Sequence, residues 1–384
     1  MKSKQKLKYL LAFGHLCSDV NQGALAAILP FLIAARNYDY ATAASFVMIS
    51  NLIGSVIQPL FGNLADKYNK PYLIAVGLFF AGGGMALTGF FENFYFLSFA
   101  VMISGIGIAM FHPQAMQLVN KCASENEKGQ SVSIFSFGGN LGFALGPILT
   151  TISISLFGLY GTLIFIVPEV IIFILFKKFY GEIYKINAIT SDKAQGMKGK
   201  LKDNWSAFLR LTAVITGRSI IFHGFNTFLA IYWIHQLGQS EAVGNTVLSV
   251  YYAISAAGVL VGGKLADVFG YRKILRFSFV FLLLTIISIS MTENIILATI
   301  LILPLGASIS FTYSPMVVLG QKYLPNRVGL ASGVTLGLAI SIGGIFAPIL
   351  GTIADNFGLL ATIQTLAFIS IIPLIFSMTL PEVK

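Results

Sequence analysis

The chain has 384 residues, of which 56% are hydrophobic and 10% charged, with a formal net charge of +10. An ordinary soluble domain carries about 25% charged residues, so this composition excludes a soluble globular core and makes lipid the solvent for most of the chain. The two cysteines, Cys17 in an apolar run and Cys122 in a polar loop, offer neither a metal spacing nor a disulfide framework, and neither a metal nor a cofactor is expected.

A helix that crosses a bilayer needs about 20 mainly apolar residues. Twelve segments qualify, at 9–34, 42–62, 72–91, 94–119, 129–155, 159–179, 207–236, 242–263, 272–291, 294–320, 328–354 and 357–380. In lipid each backbone polar group must be satisfied within its own segment, so these are helices. The lysines at 2, 4, 6 and 8 look like the start of a secretion signal. The apolar run behind them is too long for one and carries His15 and Asp19, so it reads as a retained first helix.

A charged group inside a membrane segment costs roughly 2.5–3.5 kcal/mol and needs a reason. The first helix carries His15, Asp19 and Gln22, whose spacings of four and three put them on one face. Either they hold helices together, or they line a cavity as a proton or substrate site. After the second segment comes a polar loop, Gly62-Asn63-Leu64-Ala65-Asp66-Lys67-Tyr68-Asn69-Lys70. The fourth segment contains Gly105-Ile106-Gly107-Ile108-Ala109-Met110-Phe111-His112-Pro113-Gln114, which sets a histidine beside a helix-kinking proline. Its Gly-x-Gly is no dinucleotide fingerprint, because no strand precedes it and the third glycine is missing. The fifth holds Gly138-Gly139-Asn140-Leu141-Gly142-Phe143-Ala144-Leu145-Gly146-Pro147. Glu169 in the sixth is either a protonated structural group or part of a relay.

Residues 181–206 form the one long polar connection and divide the chain into halves, 1–180 and 207–384. The seventh segment carries Arg218, His223 and Asn226. His223 and Asn226 share a face, whereas Arg218 and His223 stand about 140° apart on an ideal helix. A buried guanidinium needs a carboxylate or an anionic ligand. Asp19 is the expected partner, since the first and seventh helices are equivalent in the two halves. A second polar loop, Gly263-Lys264-Leu265-Ala266-Asp267-Val268-Phe269-Gly270-Tyr271-Arg272-Lys273, places Asp267 201 residues after Asp66. The tenth segment repeats the fourth, with Phe311-Thr312-Tyr313-Ser314-Pro315 putting Pro315 202 residues after Pro113. Nine of the 12 prolines lie within apolar segments, where such kinks suit helices that bend and slide.

With the first residues cytoplasmic, the inward-facing segments hold 23 of the 25 basic residues, and Arg36 alone lies outside. The basic balance is therefore topology and contact with lipid headgroups, not nucleic-acid binding. Both termini are cytoplasmic in this reading, and the chain is a multi-pass protein of the cell membrane. No loop ends in the Gly-Lys-Ser/Thr of a nucleotide site, so an ion gradient is the expected energy source.

The two Gly-x-Leu-Ala-Asp loops resemble the signature loops after helices two and eight of the major facilitator superfamily. The first departs from that pattern at Asn69, where glycine is usual, and the second at Val268, where a basic residue is usual. The resemblance implies gating roles for Asp66, Lys67, Asp267 and Arg272. The glycine-proline stretch of the fifth helix is similar to the motif of proton-coupled drug antiporters, which adds Gly142, Gly146 and Pro147. Gly343-Gly344-Ile345-Phe346-Ala347-Pro348 in the eleventh is a weaker echo. Three stretches, Gly14-His15-Leu16-Cys17-Ser18-Asp19, Gln58-Pro59-Leu60-Phe61-Gly62 and Ala109-Met110-Phe111-His112-Pro113, are similar to the fosmidomycin-resistance branch. A glutamate commonly follows His-Pro in that branch; Gln114 stands here instead, so the proton falls to Asp19 or His112, or coupling differs.

The expectation is an all-α integral membrane protein of the major facilitator fold, with twelve transmembrane helices in two pseudo-symmetric six-helix halves. It is a monomeric secondary transporter, not an enzyme. By alternating access it exports a small organic compound, a fosmidomycin-like phosphonate or another drug, in exchange for protons. Protons bind at Asp19, His15 and His112, and substrate at Gln22, His112, Arg218, His223, Asn226 and Tyr313. The alternative is a proton symporter or facilitator that imports a sugar or organic acid. A membrane sensor or membrane enzyme is disfavoured, because the chain has neither a soluble signalling domain nor a nucleophile cluster.

Overall fold

The computed structural model describes residues 2–67, 72–122, 128–188, 202–327, 330–331, 334–335 and 339–382; the side chains of 2–3, 55, 59, 62–67, 120, 128–130, 132–133, 185, 187–188 and 339–341 are outside the description. Every long element is helical: α1 Lys2–Arg36, α2 Tyr40–Lys67, α3 Tyr72–Leu87, α4 Phe94–Cys122, α5 Lys128–Phe157, α6 Ile166–Ala188, α7 Trp205–Ile231, α8 Glu241–Phe269, α9 Tyr271–Met291, α10 Ile295–Phe311, α11 Tyr313–Tyr323, α12 Ala339–Phe357 and α13 Leu359–Thr379. Among the described residues nine stretches are long and apolar enough to cross a membrane. One of them, Ile134–Tyr184, holds both α5 and α6, and the shorter apolar helices Tyr72–Leu87 and Ile342–Phe357 bring the pattern to twelve. The tenth expected segment is the pair α10 and α11, broken at Thr312 because Pro315 has no N–H to give the carbonyl one turn back. The sixth begins with a 3₁₀ turn, Gly158–Phe165, rather than an α-helical one.

The chain divides into two compact units, one of Met1–Phe31 and Ile49–Gln195, the other of Leu32–Met48 and Gly196–Lys384. In the first unit an apolar cluster gathers Leu7, Cys17, Phe111, Phe135, Ile172 and Phe176, and it also takes in Cys122. Cys122 is thus no loop residue: it ends α4 and is buried. Burial pushes its thiol up to about 11, against the pull of Lys4 and Lys8. Both cysteines are free.

The helices of this unit meet through small residues, as expected where lipid offers no hydrophobic drive and contact depends on close backbone approach. Gly138, Gly142 and Gly146 of α5, one per turn, face the backbone at Ala12, Leu16 and Val20 of α1 in the same order. The two helices therefore run parallel along this seam.

In the second unit Asp355 of α12 holds the start of α2, accepting the N–H of Tyr40 at 2.8 Å and of Ala41 at 2.9 Å. A carboxylate at a helix N-terminus satisfies orphan donors and faces the positive end of the helix dipole. The opposite arrangement closes α13, where Arg276 donates to the carbonyls of Ser377 at 3.3 Å and Met378 at 2.8 Å. Asn204 at the end of the polar connection caps α7 by accepting from the N–H of Ala207 at 3.0 Å.

Gly270 turns α8 into α9 with φ 95°, a conformation that side-chain-bearing residues rarely adopt, and among the described residues no atom beyond its chain neighbours lies within 4 Å of where its Cβ would stand. Gly270→Ala therefore tests the backbone alone. We expect it to lower the stability of the full chain by about 1–3 kcal/mol, read as an earlier thermal unfolding in detergent; an unchanged midpoint would mean the turn relaxes freely. The equivalent position of the first loop, Asn69, lies outside the described residues.

Candidate functional site

Asp19 lies midway along α1 and is only 4% exposed. A carboxylate at that depth must be partnered, and its partners come from its own unit. His15 Nε2 stands 3.1 Å from Oδ2, one helical turn earlier. From α4, His112 Nε2 stands 3.1 Å from Oδ1, and Gln22 Nε2 donates to the same oxygen at 3.0 Å. The spacing His15, Asp19, Gln22 brings these three together on one face, and Pro113 sits beside the residue that α4 contributes. Within its own unit the carboxylate that sequence reasoning assigned to Arg218 has two imidazoles and an amide as partners.

The far sides of both rings are fixed too. His15 Nδ1 is 2.8 Å from the carbonyl of Phe135 on α5, and its ring stacks on that of Phe135 at 4.0 Å. His112 Nδ1 is 3.0 Å from the carbonyl of Ile108. A carbonyl oxygen only accepts, so each Nδ1 carries the hydrogen and both Nε2 atoms face the carboxyl group. Each Nε2–oxygen contact is favourable only with a proton in it. With both protons the group is a carboxylate between two imidazolium ions, net +1. With one removed it is neutral, and one contact sets lone pair against lone pair. Proton occupancy is thereby tied to the mutual position of α1, α4 and α5.

The ligand atoms of His15, Asp19 and His112 lie within 4.8 Å of one another. Three donors are fewer than the four that a structural zinc site uses, and 3.1 Å between nitrogen and oxygen lies within the range of an N–H···O hydrogen bond. The arrangement is a hydrogen-bonded triad.

Gly139 of α5 closes the triad, although spacing along the chain gives it no role. An added Cβ would come within 2.5 Å of His15 Nε2 and 2.6 Å of Asp19 Oδ2. Gly139→Ala must push α5 away or turn both side chains out of their contacts. The expected loss is about 1–3 kcal/mol, the usual cost of overpacking, together with impaired transport. Thermal unfolding of the purified protein checks the first, and a variant as stable as the wild type would show that the seam yields. The second unit repeats the device: Gly343 of α12 lies against His223 and Ser219 of α7.

Arg218 of α7 is 8% exposed. Its guanidinium lies 5.0 Å from the ring centroid of Phe222 and 5.6 Å from that of Tyr313. Its Nε donates to the carbonyl of Ile309 at 3.3 Å, which also accepts from the Thr312 hydroxyl at 2.7 Å. The break between α10 and α11 thus hands a backbone acceptor to the arginine. Among the described residues no carboxylate of this unit pairs with it, so aromatic faces and one carbonyl are its surroundings. His223 and Asn226 are buried on the same helix, and the Asn226 side-chain oxygen has no hydrogen-bond partner among the described residues. Tyr313 is 38% exposed. Phe222 was missed; only its spacing of four from Arg218 could have marked it.

Of the residues assigned to gating, Asp66 and Lys67 fall in the last turn of α2, with side chains outside the description. Asp267 accepts from the Tyr271 hydroxyl at 2.8 Å across the α8–α9 turn. Arg272 stands 3.6 Å from Glu382. Gly142 and Gly146 belong to the α1–α5 seam. Pro147 cannot donate to the Phe143 carbonyl, against which Gly23 of α1 packs so closely that a Cβ would come within 2.5 Å.

A family profile for the Major Facilitator Superfamily matches residues 11–348 and 224–382. The chain is 25% identical to the fosmidomycin resistance protein of Escherichia coli (strain K12), covering 94% of this chain and 89% of that one. It is 27% identical to the multi-drug resistance efflux pump PmrA of Streptococcus pneumoniae (strain ATCC BAA-255 / R6), covering 97% and 96%. In fold it is similar to a bacterial homolog of the human lysosomal transporter Spinster, solved in an inward-facing and occupied conformation, with a TM-score of 0.80 at 13% identity over 99% of this chain and 97% of the other.

Proposed function

Because the chain belongs to the major facilitator superfamily and is a multi-pass membrane transporter, we propose that it exports a small anionic organic compound in exchange for protons. The observation that carries this is the triad of His15, Asp19 and His112, two imidazoles 3.1 Å from one buried carboxyl group. It offers a proton site whose occupancy alters helix contacts, which is what coupling requires. Arg218, with His223, Asn226 and Tyr313, gives the substrate its cationic and polar surroundings, and Gln22 and His112 join the substrate to the proton site. Similarity to a protein named for fosmidomycin resistance supports a phosphonate-type anion as the probe. In this reading the protein is a monomer of the cell membrane with both termini cytoplasmic. Residues 181–206 link its two six-helix halves, and it turns over no substrate chemically. Asp66, Lys67, Asp267 and Arg272 lock one conformation at the cytoplasmic ends.

The test is fosmidomycin accumulation in inside-out vesicles under an imposed proton gradient. Uptake that needs the gradient supports proton-coupled export. Fosmidomycin uptake without proton movement favours a facilitator, and an absence of uptake by folded protein removes the phosphonate assignment.

A further inference from the structure

A second carboxyl group lies on the other side of α1. Glu169 of α6 is 1% exposed. Its Oε1 accepts from Asn21 Nδ2 at 2.8 Å. The same Nδ2 donates to the Cys17 carbonyl at 3.0 Å, and since that carbonyl can only accept, the orientation of the Asn21 amide is fixed. Two buried atoms then remain without a hydrogen-bond partner among the described residues, Glu169 Oε2 and Asn21 Oδ1. Both are acceptors if Glu169 is ionised, and two orphaned buried acceptors in one pair are costly. A single hydrogen on Oε2 would make it a donor, which is the kind of partner that Asn21 Oδ1 lacks. With Asn21 Nδ2 already donating to Oε1 at 2.8 Å, a protonated Glu169 and this amide have the groups to close a ring in which each gives and takes one hydrogen bond.

The pocket around the pair is built for an uncharged acid. Gly82 of α3 lies against the Glu169 Cγ and the Phe165 carbonyl, where no Cβ would fit. α3 and the 3₁₀ turn before α6 contain no charged residue, and α4 contributes only His112, engaged with Asp19, and Lys121 near its end. On α1 the titratable neighbour is the Cys17 thiol, one turn before Asn21. On α6 itself the next charged residue is Lys177, two turns away. Asn21 and Asp19 are about 200° apart around the helix, so α1 carries one protonatable cluster on each side.

We infer that Glu169 is a second exchangeable proton site of this protein, a neutral carboxylic acid closed onto Asn21 that opens the α1–α6 contact when its proton passes to solvent. Loss of that proton leaves a carboxylate oxygen facing an amide oxygen, so the ring cannot persist. The inference deepens the proton-coupling reading and rests on it only for the number of protons moved per cycle.

Infrared spectroscopy of the full chain in lipid nanodiscs tests it without any substrate. A carbonyl-stretch band of a protonated carboxylic acid is expected at neutral pH, sensitive to deuteration, bleaching as pH is raised and absent in Glu169→Gln. That variant can rebuild the ring as an amide pair, so it should fold. Asn21→Leu should shift the band toward a free acid. Identical spectra for wild type and Glu169→Gln would overturn the inference, and so would a band that never bleaches while the protein stays folded, or one indifferent to Asn21→Leu. In vesicles with fosmidomycin, Glu169→Gln should lower by one the protons exchanged per molecule; an unchanged count would remove Glu169 from the cycle. Absence of wild-type uptake would defeat the substrate reading, while the infrared bands would still decide whether Glu169 holds and releases a proton.

Discussion

An Asp19→Asn protein is expected to lose gradient-driven accumulation of fosmidomycin, with uptake falling to the level of vesicles whose proton gradient has been collapsed. Substrate exchange between labelled and unlabelled pools should continue. The reason lies in the hydrogens of the triad. Both Nδ1 positions are committed to backbone carbonyls, so only the two Nε2–carboxyl contacts can gain or lose a proton. Asparagine has nearly the same shape, and its carboxamide can accept from one imidazole and donate to the other. It thereby holds the three helices without the charge that attracts a second proton. Asp19→Ala is the contrasting variant: it leaves both Nε2 atoms facing a hole, at about 1–3 kcal/mol for each orphaned group, and should be visibly less stable. Gradient-dependent accumulation at wild-type level by a folded Asp19→Asn protein would take the centre out of the proposal.

The parts of this site that were legible follow from spacing along one helix or from the repeat between the two halves. His15, Asp19 and Gln22 lie on one face by simple periodicity, and the repeat of a proline-broken helix marked both His112 and the stretch around Tyr313. Contacts between helices were not legible. Nothing in the sequence joins Asn21 to Glu169, 148 residues apart, and periodicity around α1 says only that Asn21 faces away from Asp19. Gly139 stood inside a motif already singled out, yet its role over the His15–Asp19 pair depends on which turn of α5 meets which turn of α1. Pairing Asp19 with Arg218 drew on the equivalence of the first and seventh helices, which gives no hint that, within its own unit, a histidine one turn earlier and another on α4 stand at the carboxylate. Cys122 was misplaced for a simpler reason, since the polar residues after it disguised the buried last turn of α4.

Arg218 yields the other large effect, because it sets function and stability in opposition. Its guanidinium is buried, flanked by Phe222 and Tyr313, and hydrogen-bonded to one carbonyl. Within the export reading the remaining donors are aimed at an anion, and truncating one partner of a buried charged hydrogen bond costs about 2–5 kcal/mol. Arg218→Ala should therefore weaken apparent affinity for fosmidomycin by roughly 30-fold or more. Arg218→Lys keeps the charge but loses the planar fork that pairs with an oxyanion and stacks on the two rings, so it should recover only part of that loss. A structural arginine and a ligand-binding one part company in Arg218→Met. A buried ion carries a desolvation cost of several kcal/mol, and among the described residues of this unit no carboxylate offsets it for Arg218, so an apolar side chain of similar length removes that cost. The methionine protein is accordingly expected to unfold at or above the wild-type temperature in detergent while failing to accumulate fosmidomycin. If it instead unfolds well below wild type and its residual affinity for fosmidomycin is unchanged, Arg218 holds the second unit together and the anion must bind elsewhere.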